Sequence, residues 1–226
     1  MSTAYLLPIG LVIQIILLFM LSRTTINELF YCLRIVFRRE HLIYAIVSTI
    51  FLPGTIIHEM GHFVAATALM LKVHDVRIFP QWEKNQIKLG SVIYEKKDIF
   101  RGILVGIAPL FFGLCFFWFL GRFKLFPNSN LWLNIFFGYI VLTVSSTMFS
   151  SKQDLVDLVF IIPLAIIILG LIYIFNLNVN FILANQQIMN GIITFLQEIN
   201  FYLLFSLIVN LFLIILFKSF RSILKK

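Results

Sequence analysis

His58, Glu59 and His62 form a His-Glu-x-x-His motif inside an apolar run of the chain. On a helix, positions four apart share a face, so His58 and His62 can present two imidazoles to one metal ion. This is the spacing of a zinc hydrolase, in which the glutamate next to the first histidine serves as general base toward a zinc-bound water. The competing reading is a group of polar side chains satisfied by their neighbours in a helix bundle. Ionised groups in a membrane-spanning run cost roughly 2–3.5 kcal/mol each near the bilayer centre. That cost favours a functional use for the motif.

A catalytic zinc keeps three protein ligands and one open position. The third ligand must be His, Asp, Glu or Cys, at the same depth as the two histidines. Asp154 is the first acid after the fourth apolar run, and Asp157 follows one turn later. With one crossing per run, Asp154 returns to the side on which the second run ends. Ser151-x-x-Asp154 also reads as a helix-capping box, so capping stands beside ligation. Glu83, Glu95 and Glu198 are the acids that a soluble-type zinc site with a downstream glutamate would use. His74, outside the motif, reads as structural. Cys32 and Cys115 belong to no Cys-x-x-Cys pair, and neither a thiolate metal site nor a disulfide framework follows.

The elements that must position these groups are membrane elements. Of the 226 residues, 61% are hydrophobic and 12% charged, with a mean hydropathy of +1.00. Soluble domains run at about 45–50% apolar and 25% charged. The chain reads as one all-α polytopic membrane domain, residues 1–226, with its core at about 42–160. Six spans are expected, at about 4–22, 42–72, 102–120, 131–149, 155–175 and 200–217. Residues 23–41, with Arg23, Glu28 and Arg34 among apolar residues, read as an interfacial amphipathic helix. Residues 176–199 read as a loop plus an interfacial helix. Pro53-Gly54 marks a kink one turn before His58. Gly54 and Gly61 offer close approach to a neighbouring helix or a substrate, and Gly102, Gly106, Pro109 and Gly113 form a small-residue face. Alternation over 73–79 and 86–94, with a turn at 80–85, predicts a β-hairpin or small sheet between the second and third spans. An edge of that sheet could pair with an extended substrate. The hydroxyls from Thr143 to Ser151 are candidates to line a polar cavity.

The net charge of +8 would suggest nucleic acid in a soluble protein. Here the basic residues lie between apolar runs, which points to topology and lipid headgroups and away from nucleic acid. Six spans place both termini on one side, with twelve Lys and Arg there against six on the other. The positive-inside rule then makes that side cytoplasmic.

His58-Glu59-Met60-Gly61-His62 in an apolar span resembles the site-2 protease family of intramembrane zinc metalloproteases. The order that follows is similar to the family's too: a short β segment (Val73–Tyr94), a span with Gly106-Ile107-Ala108-Pro109, and a later acid at the edge of a span. The likeness covers about residues 42–160. The family's third ligand lies in a Leu-Asp-Gly segment, where this chain has Gln153-Asp154-Leu155. The resemblance implies zinc held by His58, His62 and Asp154, with Glu59 as base. It also implies a transmembrane protein or peptide substrate, while the compact size without a long soluble domain suggests a multi-pass protein of a prokaryotic plasma membrane. A non-catalytic scaffold or transporter, or a membrane zincin with a downstream Glu ligand, are the alternatives.

Overall fold

The structure is a computed structural model that describes residues 2–78, 81–83, 86–88, 90–95, 97–148, 174 and 185–224. Its helices are α1 (Ser2–Val36), α2 (Glu40–Ala68), α3 (Ile99–Arg122), α4 (Leu131–Thr147) and α5 (Gln186–Leu224). Among the described residues, four helices (α1, α2, α3 and α5) are long and apolar enough to cross a membrane, and α4 is a shorter apolar helix of 17 residues. The helical, membrane-type architecture matches the expectation. The span expected at about 155–175 lies, but for Ile174, outside the described residues, so the six-span count is not established.

The small sheet falls between α2 and α3, as expected, but it is not one continuous pair of strands. β1 (Val73–Arg77) pairs antiparallel with β4 (Ser91–Tyr94), and β2 (Gln81–Glu83) with β3 (Gln86–Lys88). The second ladder is nested within the first. The outer pair is anchored because Val73 and Tyr94 pack on a cluster of Ala66, Leu71 and Val105, which ties the sheet to the end of α2 and the start of α3. Two polar contacts close that corner. Arg101 Nη1 donates to the Leu69 carbonyl at 3.2 Å, and Asp98 caps α3 by accepting from the Arg101 N–H at 2.7 Å.

α2 runs between α3 and α4, and glycine sets both contacts. A Cβ on Gly61 would lie 2.8 Å from Pro109 Cα, and one on Gly54 would strike the Thr143 carbonyl and lie 2.5 Å from Thr147 Oγ1. At both positions the backbones approach too closely for any side chain. The neighbour in each case is a helix, one of the two partners expected of these glycines. α2 itself continues through Pro53 as one helix.

Two expectations are corrected in α1 and α5. Residues 23–36 are not a separate interfacial helix but the continuation of α1, and residues 186–199 belong to α5. The reason is pairing. Thr25 Oγ1 donates to Asn210 Oδ1 at 2.7 Å, Glu28 meets Arg221 at 3.2 Å, and the Arg23 guanidinium stands 4.5 Å over the Phe19 ring. Arg23 thus lies against its own helix, while Thr25 and Glu28 are taken up inside the helix pair. These contacts, with Asn200 donating to the Leu7 carbonyl and Cys32 to the Phe217 carbonyl, also fix direction. Residue numbers rise together along α1 and α5, so the two helices are parallel. The start of α1 and the end of α5 therefore lie at opposite ends of the bundle. The main core gathers where α1, α3, α4 and α5 meet, around Leu18, Phe117, Leu120, Val144, Tyr202 and Leu203.

Candidate active site

His58 and Glu59 are buried at 3% exposure each, and His62 is half-buried one turn on. The helical spacing turns both imidazoles the same way, leaving His58 Nε2 and His62 Nε2 3.2 Å apart with their rings at 86°. Two ligands of a tetrahedral zinc, each about 2.0–2.1 Å from the ion, lie roughly 3.3 Å apart. The pair is thus set at the separation such an ion needs.

The outer nitrogen of His62 completes the arrangement. Nδ1 lies 2.9 Å from the Val105 carbonyl of α3. A carbonyl only accepts, so Nδ1 carries the proton and donates it. In the neutral ring Nε2 then holds the lone pair, directed toward His58. Metal-bound histidines are typically oriented this way, by a hydrogen bond from the nitrogen that does not ligate. Donor chemistry, spacing and orientation all fit a zinc ion.

Glu59 is confined by the sheet. A Cβ on Gly90, the residue before β4, would lie 2.6 Å from Glu59 Cγ and 2.7 Å from Oε1. The glycine lets the chain entering β4 rest directly on the carboxylate, which would have to swing aside for a larger residue. Sequence reasoning did not single out Gly90. The available signal was a glycine inside a run that otherwise reads as strand, which often marks close approach of another group. Val105 was also missed, since its contribution is a backbone atom.

The other candidates divide clearly. Asp154 and Asp157 lie outside the described residues. Among the described residues, no group of three or more His, Cys, Asp or Glu gathers as a metal site. Glu198 is remote: its carboxylate packs on Gly121, where a Cβ would meet Cδ at 2.7 Å. Gly121 stands near the far end of α3 from Val105, about 24 Å along the helix. Glu83 is in β2, and Glu95 and His74 are exposed on the sheet. The hydroxyls of Thr143, Ser145 and Thr147 are buried. Thr147 Oγ1 faces Gly54 and Ser145 Oγ meets Ser206 Oγ at 2.5 Å. These three hydroxyls serve helix contacts. Ser146 is buried with no partner for its hydroxyl among the described residues, and Ser150 and Ser151 lie outside them.

No family model, curated protein or solved structure shows a significant match to this chain, so the case for the site rests on its own geometry.

Proposed function

We propose that this chain is an intramembrane zinc metalloprotease of the site-2 protease type, hydrolysing peptide bonds within or near transmembrane segments. The observation that carries the reading is the pair of Nε2 atoms 3.2 Å apart, with the outer nitrogen of His62 held by a carbonyl. His58 and His62 would hold the ion, and Asp154 is proposed as the third ligand. Bound there, zinc supplies Lewis acidity, acidifying a water and polarising a carbonyl. Glu59 takes up the proton and returns it to the leaving amine. Glu59 is buried under the β segment, and the half-buried His62 marks the more open side of the site.

Elemental analysis of the detergent-purified protein tests this without a known substrate. About one zinc per chain is expected in the wild type, lost in His58→Ala and in Asp154→Ala. Zinc kept in Asp154→Ala would move the third ligand to Asp157 or a distant Glu. A wild type without zinc after reconstitution would leave a non-catalytic membrane protein as the better account. Glu59→Gln should keep the metal and abolish cleavage.

The parallel course of α1 and α5 bears on orientation. If both cross the bilayer, their outer ends face opposite sides, in contrast to an even number of spans. Lys218 and Arg221 then share an end with Arg34, Arg38 and Arg39 and lie away from the sheet. The charge count that favoured a cytoplasmic sheet loses its margin. Single cysteines at positions 2 and 224, in a background lacking Cys32 and Cys115, should react with an impermeant maleimide from opposite sides. Reaction from one side only would reject a crossing by both helices.

A further inference from the structure

α3 carries a proline in its interior, Pro109. In an α-helix each N–H donates to the carbonyl four residues back, and proline has no N–H. The carbonyl that loses its helical donor here is that of Val105. This is the carbonyl 2.9 Å from His62 Nδ1. Val105 is fully buried, where a carbonyl without a donor is costly and water is not at hand to supply one. Gly61 makes the meeting possible. The Cβ it lacks would lie 2.8 Å from Pro109 Cα and 3.0 Å from Pro109 N. The backbones of α2 and α3 thus touch one residue before the histidine.

We propose that Pro109 is a positioning residue for the metal centre. By withholding its own N–H it leaves the Val105 carbonyl to His62, which holds the imidazole as the Nδ1–H tautomer with the Nε2 lone pair facing His58. The role in metal binding rests on the metalloprotease reading; the tautomer control does not. A proline that merely shapes α3 is the competing account. The two accounts separate cleanly on replacement by alanine. Alanine restores the N–H and suits a helix interior better, so the fold should not suffer, but His62 loses sole use of its acceptor.

The test uses full-length, detergent-purified Pro109→Ala. Zinc affinity, read by competition with a chelator, is expected to fall by about 10–100-fold, as for other outer partners of metal-bound histidines. The unfolding midpoint should stay level or rise. In zinc-stripped protein labelled with ring ¹⁵N-histidine, His62 (assigned by loss of its signals in His62→Gln) should be the Nδ1–H tautomer in wild type. It should shift toward Nε2–H in Pro109→Ala. A second variant carries lactic acid at position 109, giving an ester that lacks the N–H without the proline ring. It should keep both wild-type affinity and tautomer. An unchanged tautomer in Pro109→Ala overturns the proposal, as does an ester variant that behaves like Pro109→Ala. If the alanine variant does not fold, the ester variant decides. If the wild type binds no zinc, the metalloprotease reading fails, while the tautomer comparison still decides the role of Pro109.

Discussion

α2 and α3 each carry a proline in mid-helix, and a neighbouring helix donates to a carbonyl close to each. Around Pro53, the carbonyl of Ile50 accepts the hydroxyl of Tyr139 from α4 at 2.6 Å. Around Pro109, the carbonyl of Val105 accepts the imidazole of His62 from α2 at 2.9 Å. Val105 is the carbonyl that Pro109 deprives of its helical donor, whereas Pro53 deprives Thr49, and Tyr139 reaches the next carbonyl along, whose helical donor is Gly54. A second difference lies behind the donor. A phenol has only its one oxygen, so its bond to Ile50 ends in structure. An imidazole has a second nitrogen, and fixing the first sets what the second can do. A donor from a neighbouring helix is therefore only a helix contact beside Pro53, and a control on a candidate metal ligand at Pro109, where it meets the carbonyl that proline orphans.

Substitutions at the two turns should separate these roles. The largest effect is expected from Gly61→Leu, whose side chain would drive into the Pro109 backbone. It should lower stability by about 1–3 kcal/mol and weaken zinc binding as well, because the Val105 carbonyl moves with Pro109. Gly54→Leu meets α4 just as closely and should destabilise similarly. The ring ¹⁵N spectrum of His62 should nevertheless stay as in wild type, and a changed tautomer there would erase the contrast between the turns. Tyr139→Phe removes one hydrogen bond and should cost about 0.5–1.5 kcal/mol in unfolding. Zinc content is expected to be unaltered. The smallest effect belongs to Pro53→Ala, for which zinc affinity within about twofold of wild type is expected. A loss like that of Pro109→Ala would mean that either proline shapes the site and that the carbonyl is incidental.

The same contrast shows what could be read in advance. A helix through His58 and His62, and their common face, follow from a four-residue spacing in an apolar run, because helix geometry is local. Glycine at 54 and 61 announced close approach before any partner was visible. The proline at 109 was legible as part of a small-residue face. Its consequence was not, since a carbonyl with no helical donor has a use only when another element brings one. Gly90 was hidden for a related reason. Its value lies in Glu59, thirty-one residues earlier in the chain, and only the fold of the sheet onto α2 brings the two together.

The ends of the chain give the clearest division. Arg23, Glu28 and Arg34 in a semi-apolar stretch looked interfacial because hydropathy prices each side chain as if water or headgroups were its only partners. α5 supplies Asn210 to Thr25 and Arg221 to Glu28, while Arg23 lies over Phe19 of α1 itself and Arg34 meets Glu40 of α2, so α1 continues and runs parallel to α5. The amino-acid order alone was enough for the membrane class, most helices and the two histidines with their glutamate, since each depends on residues within a few turns. The course of α1 beside α5, the hold of Val105 on His62 and the seat of Gly90 on Glu59 required tertiary structure. Each is a pairing between distant residues, and its energy exists only once both partners are in place.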